Sequence, residues 1–406
     1  MHFFHILSTL RRHKTAAALI VIEIALTCGI VSNAVFLIGE RLARTDRPSG
    51  VAEDELLDVR LTGIGTQTDA AAVTAQDLVA LRAIPGVAGA ASIDMVPFGA
   101  ASWNTDTSTV KDDPNGVTAG QYMGQGLVDT LGLQLIAGRD FQPGEYVDFA
   151  AAQARPASIT TVLLTRALAE RLFLGESALG KPVYLGAKDP QLVVGIVDRL
   201  ARPSDGDPDD PRSPQYSIIL PIALPFTGGG HYVLRVDPAR KDEVLAAVDA
   251  TLTKVDPARI ILERRTFAAI RRDHFKQDRA MAYLLIGVSL ALLLITALGV
   301  VGLASFWVQQ RTRQIGIRRA LGATRGNILR YFQLENFILT TIGIALGMVL
   351  AYGINLWLMS KYQVPRLPAE VLPIGAVLLW VIGQIAVLGP AMRAATIAPA
   401  IATRSV

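Results

Sequence analysis

Four stretches of this chain are too long and too apolar to lie against water, and they fix its architecture before any other feature is read. They fall at residues 15–40, 280–308, 337–359 and 371–389. A bilayer core of about 30 Å takes roughly 20 helical residues to cross, so each is a candidate span. The second carries no charge along its length, and the first is interrupted only by Glu23 before Glu40 ends it. Residues 41–279, between the first and second spans, have the mixed character of a water-soluble domain. Composition agrees: 18% of the 406 residues are charged, too many for spans alone, while a mean hydropathy of +0.38 is too high for a soluble protein.

The basic residues orient the spans, because cytoplasmic loops carry an excess of Lys and Arg. Arg11, Arg12 and Lys14 put residues 1–14 inside, and Arg393 and Arg404 do the same for the tail at 390–406. The loop at 309–336 holds Arg311, Arg313, Arg318, Arg319, Arg325 and Arg330, with no acid before Glu335. It is therefore cytoplasmic too. The domain at 41–279 and the short loop at 360–370 fall outside, and the alternation closes. The net charge of +4 sits mostly at these flanks, which reads as topology rather than nucleic-acid binding. Cys28, the single cysteine, lies inside the first span, so no internal disulfide can form. A bacterial inner membrane with the large domain in the periplasm suits this pattern. Ser32-Asn33-Ala34 imitates a signal-peptidase site, but the apolar stretch before it is too long for a signal peptide and contains Glu23.

The external domain reads as mixed α/β. Residues 57–61 alternate like a strand, and 74–84 read as a helix opened by Thr74-x-x-Asp77 and stopped at Pro85-Gly86. A strand at 158–163 feeds a helix at 166–173, and strands at 183–185 and 192–197 flank the turn Lys188-Asp189-Pro190. Further strands are expected at 216–220, 232–236 and 260–262, with a helix at 243–252 and a loop at 203–214. Strands alternating with helices, plus a β-rich insertion, predict two subdomains. The fold class is thus a four-span α-helical membrane protein with a large two-part α/β domain inserted after the first span.

No Pro or Gly occurs from Thr266 to Gly287, so the pattern predicts one helix over 266–308, about 64 Å long at 1.5 Å per residue. Its first part, 266–279, would stand outside as a stalk bearing Arg271, Arg272, Lys276 and Arg279. A short linker helix with a break near Asp278 is the other reading. Glu23 sits about two turns into the first span, either reaching the surface or facing protein. Glu335 opens the third span and is expected at the interface, near Arg325 and Arg330. Gly343-x-x-x-Gly347 permits a close helix approach, within the chain or between chains.

Catalytic signals are weak. Gly175 to Lys181 nearly matches a phosphate loop, but Pro182 stands where Ser or Thr would hold Mg²⁺, and a helix precedes it where a strand should. Asp205-Gly206-Asp207-Pro208-Asp209-Asp210 has its glycine in the wrong place for a calcium loop and lacks a closing Glu. The histidines (His2, His5, His13, His231 and His274) lack metal spacing, and no nucleophile elbow occurs. The expectation is a non-enzymatic chain that binds neither cofactor nor metal.

The 309–336 loop remains. Ile315, Ile317, Ala320 and Leu321 form an apolar set beside the arginines, suited to a short helix docking into another protein's groove; a purely topogenic loop is the alternative. The run Arg313-Gln314-Ile315-Gly316-Ile317-Arg318-Arg319-Ala320-Leu321-Gly322-Ala323-Thr324 resembles the coupling segment of the MacB/FtsX-type permeases of ABC transporters, the mechanotransmission class, with Gln314 where that family usually has Glu. The blocks 81–87, 131–141 and 167–181, and the tail from Pro390 through Ala395 with Pro399, continue the likeness over nearly the whole chain. The resemblance implies a dimer of identical or sister four-span subunits, docked through this segment on a cytosolic ABC ATPase that holds the ATP and Mg²⁺. Because the chain starts at its first span, that ATPase is expected on a separate polypeptide. ATP-driven motion would pass to the periplasmic domain and drive export of a drug, peptide or similar substrate, with a periplasmic adaptor and an outer-membrane channel. The alternatives are a signal transmitter acting on a periplasmic partner and a lipoprotein-release permease.

Overall fold

The computed structural model describes residues 14–64, 69–186, 189–207, 210–362 and 366–397. The chain divides into two compact units, 1–46 with 277–406, and 47–276.

The α/β unit is built on two main sheets. The smaller is antiparallel, its strands in the order Arg259–Thr266, Leu56–Gly63, Gly229–Val236 and Val87–Ser92. Alternation along Leu56–Gly63 sends Leu57, Val59 and Leu61 to one face, against the helices Ala70–Arg82 and Lys241–Val255. Val244, Val248 and Leu252, four apart on the second helix, complete that core. Leu56, Ala91 and Val233 belong to a second core shared with Tyr122, Leu163, Val197 and Ile219 of the larger sheet. That sheet has seven strands, in the order Leu135–Gly138, Gln191–Val197, Thr161–Thr165, Ser217–Leu220, Val117–Met123, Asn104–Ser108 and Pro182–Leu185. It mixes parallel and antiparallel pairs, and every residue of Thr161–Thr165 is buried. The two sheets thus share a core inside one compact α/β unit.

Two local readings change. The first helix starts at Ala70, capped by Asp69, whose carboxylate accepts the Ala72 N–H at 3.0 Å. Thr74-x-x-Asp77 is therefore helix interior, not a capping box. Asp77 is taken instead by the Tyr232 hydroxyl at 2.9 Å and the Arg259 guanidinium at 3.2 Å, with Arg259 stacked 4.3 Å from the Phe226 ring. The second change concerns the helix expected to run unbroken over 266–308. It is two helices, Phe267–His274 and Lys276–Gln310, parted by Phe275 at φ −90°, ψ 12°. No breaker sits there. Phe275 leaves helical geometry because its ring is fully buried, 5.1 Å edge-on to Phe98. Arg271 and Arg47 bring their guanidinium groups to 5.8 and 5.7 Å of the same ring. Lys188 of the expected turn lies outside the described residues, as do Pro208 and Asp209 of the acidic loop.

In the helical unit, Lys14–Thr45, Lys276–Gln310, Arg325–Tyr362 and Leu372–Thr396 supply, among the described residues, four helices long and apolar enough to cross a membrane. The first is the most enclosed. Ile20, Ile24, Cys28 and Val31, at helical spacing, face a common core. Gly343 and Gly347 of the third helix meet this face within the chain. A Cβ on Gly343 would stand 2.7 Å from Ile24 Cγ2, and one on Gly347 would stand 2.4 Å from Cys28 Cβ. Polar side chains tie the same bundle: Asn33 donates to Ala351 O at 3.0 Å, and Asn336 donates to Gly383 O at 2.9 Å. Glu23 faces the second helix, where a Cβ on Gly299 would come within 2.5 Å of its carboxylate, and one turn on Thr27 bonds Thr296 at 2.8 Å.

Candidate functional site

Between the second and third long helices stands one short helix, Thr312–Ala320. A single residue, Arg311 at φ −102°, ψ 8°, separates it from the helix before. Its far end closes as a Schellman motif: the Ala323 N–H reaches Arg318 O at 3.0 Å and the Gly322 N–H reaches Arg319 O at 3.1 Å. Gly322 holds φ +96°, which only glycine adopts without strain. Thr324 then caps the third helix, its hydroxyl accepting the Asn327 N–H at 3.2 Å. Stop and restart within four residues make the segment a discrete helix rather than a slack loop.

Side chains on this helix divide into an anchored set and a free-facing set. Ile315 is 5% exposed and packs with Val308, Ile328, Phe332, Ala391 and Ala394, so it belongs to the chain's own core; the outward role expected of it falls away. Gly316 is buried beside it. Arg319 donates to Ile397 O, beyond the end of the fourth long helix, and the Arg318 guanidinium lies 5.0 Å over the Tyr331 ring. Arg313, Gln314, Ala320 and Gly322 are exposed, and so are Ile317 at 49% and Leu321 at 83%. Leu321, Arg318, Asn327, Arg330, Tyr331 and Leu334 contribute to the lining of a groove of ≈ 610 Å³ along the outer side. Leu321 flanked by cations at the groove, with Ile317 exposed one turn before it, is the make-up that a docking face requires.

Glu335 is not at an interface with Arg325 and Arg330. It is 1% exposed and accepts Arg311 Nη1 on both carboxylate oxygens, at 3.0 and 2.9 Å. The Arg311 guanidinium, itself buried, lies 5.6 Å over the Trp307 ring one turn back. Desolvation drives the pairing, since neither charge tolerates apolar surroundings alone. A signal for it stood in the sequence: Glu335 is the single acid between Asp278 and Glu370, a stretch holding eight arginines.

Of the basic residues expected on a stalk, Arg271 turns inward, donating to Glu53 at 2.5 Å and to Arg47 O at 2.7 Å. Arg272 and Lys276 are exposed, and Arg279 is half-buried. The near-phosphate loop leads into the strand Pro182–Leu185, and Lys181 bonds the Glu176 carboxylate and lies 5.3 Å over Phe173.

Comparison with known proteins covers both units. Residues 20–255 match the family model of the MacB-like periplasmic core domain, and residues 286–399 match that of the FtsX-like permease C-terminal region. The pyoverdine export ATP-binding/permease protein PvdT of Pseudomonas aeruginosa is 26% identical over 201 residues, covering 49% of this chain and 30% of that protein. The macrolide export ATP-binding/permease protein MacB of Rhodospirillum rubrum is 29% identical over 205 residues, covering 48% of this chain and 30% of that protein. Both matches thus span less than a third of the relative. Among solved structures, the periplasmic region of MacB from Actinobacillus actinomycetemcomitans aligns with 55% of this chain and 94% of its own, at 14% identity and a TM-score of 0.32.

Proposed function

The chain belongs to the MacB/FtsX-type permeases of ABC transporters, and from that premise we propose that it transmits ATP-driven motion from a cytosolic ATPase to its α/β unit to drive export. The observation that carries this reading is the helix Thr312–Ala320, capped at its end, anchored from within by Ile315 and Arg319, and presenting Ile317 and Leu321 outward. A helix so held passes on a push instead of absorbing it. In this reading the α/β unit lies in the periplasm and the arginines of 309–336 face the cytosol, as the excess of basic residues requires. Hydrolysis belongs to the partner, a second permease subunit completes the assembly, and an adaptor and outer-membrane channel receive the substrate. The naming of two relatives for export of pyoverdine and of macrolides supports transport over signalling.

The test is capture of the cognate ATP-binding protein by the full chain. Truncating a buried apolar anchor costs about 2 kcal/mol or more, whereas exposed rim charges cost well under 1. Ile317→Ala with Leu321→Ala should therefore release the ATPase, while neutralising Arg313 and Arg325 should weaken it by less than about tenfold. Capture that survives the apolar change and fails on the charge change would sink the docking face.

A further inference from the structure

We propose that the Arg311–Glu335 pair is a positioning latch, which fixes the angle of the helix Thr312–Ala320 against the third long helix so that a push on the short helix reaches the bundle. The purpose given to the latch rests on the coupling reading above; its geometry does not. Arg311 is the one residue between the second long helix and the short helix that leaves helical geometry, so the short helix would pivot there. The backbone keeps one helical bond on each side of Arg311, the Arg311 N–H on Trp307 O at 3.1 Å and the Ile315 N–H on Arg311 O at 2.9 Å. The side chain adds the contact across to the third long helix. Nη1 meets both oxygens of Glu335, eleven residues into Arg325–Tyr362, while Nη2 and the neighbouring Trp307 Nε1 find no acceptor among the described residues. The hold of Arg311 on the third helix is thus concentrated in one nitrogen. The next residue, Asn336, carries the link onward by its bond to Gly383 O of the fourth long helix. Adjacent side chains of one helix turn therefore join the pivot on one side and the fourth helix on the other.

An apolar filler would occupy the same space without fixing an angle, which separates a latch from mere stabilisation. Replacing a buried ion pair by well-packed apolar side chains is often neutral for stability. The experiment uses the full chain in lipid nanodiscs on a Cys28→Ser background, with nitroxide labels at Leu321→Cys and Leu356→Cys, both exposed in the native chain. Pulsed electron–electron distance measurement should give one narrow distribution for the native pair. Arg311→Met with Glu335→Leu should keep the thermal unfolding midpoint but at least double the width of the distribution. The reversed pair, Arg311→Glu with Glu335→Arg, should narrow it again. A distribution that stays narrow with the apolar pair overturns the latch. If the apolar pair does not fold, Glu335→Gln, which keeps the shape of the side chain, is read in the same way. ATPase capture by the unlabelled chain and its Arg311/Glu335 variants, with Leu321 intact, separates the two claims: a width that follows the charge pair without any ATPase binding to the native chain upholds the latch and removes the coupling reading.

Discussion

At Phe275, just before the long helix Lys276–Gln310, the chain leaves helical geometry to bury an aromatic ring; at Arg311, just after it, the chain does the same to bury a guanidinium. Neither position holds Pro or Gly. Both residues sit in the bridge region next to the helical one, with ψ of 12° and 8°, and both breaks cost intrahelical order that a tertiary contact offsets. The contacts differ in kind. Phe275 is held by surface removed from water, on Phe98 and Phe267 within one core, with cations laid on its face. Arg311 is held by one charge-assisted contact that has direction. Apolar packing tolerates a change of shape but not a hole. A buried ion pair tolerates removal of both charges but not of one.

That difference sets the largest effects. Phe275→Ala should destabilise the α/β unit by about 3–5 kcal/mol, through lost transfer energy plus the cavity left behind. Arg311→Met alone should destabilise the helical unit by a similar 3–5 kcal/mol, because the buried Glu335 loses the guanidinium that meets both its oxygens. Second substitutions break the tie. Adding Glu335→Leu to Arg311→Met should bring stability back to within about 1 kcal/mol of the native chain. Adding Phe98→Ala to Phe275→Ala should take it further down. Hydrogen exchange over 267–275 and 307–335 in the full chain reads both joints at once. If the Arg311/Glu335 double change stays as labile as the single one, packing around Trp307 and Phe332 holds that joint and the contrast is false.

A smaller effect comes through pH, at the segment that also carries Phe98. Asp94 accepts the Met123 N–H at 2.8 Å through Oδ1, while Oδ2 is buried without a protein partner; burial pushes its pKa up to about 7. Its carbonyl oxygen is 3.3 Å from His231 Nδ1, and His231 Nε2 bonds Asp58, which also faces Arg60. A folded pKa above the ordinary value of 3.8 means the fold favours the neutral acid. Its contribution is whole below about pH 4 and is lost as pH rises through about 7. The α/β unit should lose about 1–3 kcal/mol between pH 5 and pH 8, at roughly 1.4 kcal/mol per unit. Asp94→Asn should flatten the curve and exceed the native chain at pH 8. An unchanged slope in that variant would move the titration to another group.

The spans, the α/β domain and the short helix were legible because they rest on local signals: apolar runs, period-2 and period-3.6 patterns, and a Gly-Ala-Thr stop and restart. What was not legible depended on distant partners. The break at Phe275 follows from Phe98, far upstream, and nothing within a helical turn announces it. Arg311 reads as one topogenic arginine among six until Glu335 is seen against it. Ile315 and Ile317 are equivalent by composition, and only the packing of Ile328, Phe332 and Ala394 sends one inward and leaves the other free. Asp77 satisfied a capping pattern better than Asp69 did, yet its burial against Arg259 and Tyr232 decided otherwise.

The finest test of the comparison is the backbone of Phe98. It holds φ +62° while the residue is only 3% exposed, packed among Phe267, His274 and Phe275 and under Arg271. A bulky residue in that region is strained and persists only where its surroundings over-determine it. The strain is therefore carried by the same apolar joint that breaks the helix at Phe275. Removing the ring separates the two contributions. Phe98→Ala loses the ring and keeps a Cβ in left-handed backbone, whereas Phe98→Gly loses the ring and releases the strain. Glycine ordinarily costs 0.5–1 kcal/mol relative to alanine through its freedom in the unfolded chain, with ~1–2 kcal/mol of left-handed strain relieved here in return. The glycine variant should accordingly be the more stable of the two by about 0.5–1 kcal/mol, read from unfolding midpoints of the full chain. The reverse order would mean that residue 98 relaxes to ordinary backbone once the ring is gone, and that the joint at Phe275 imposes the strained conformation only through the ring itself.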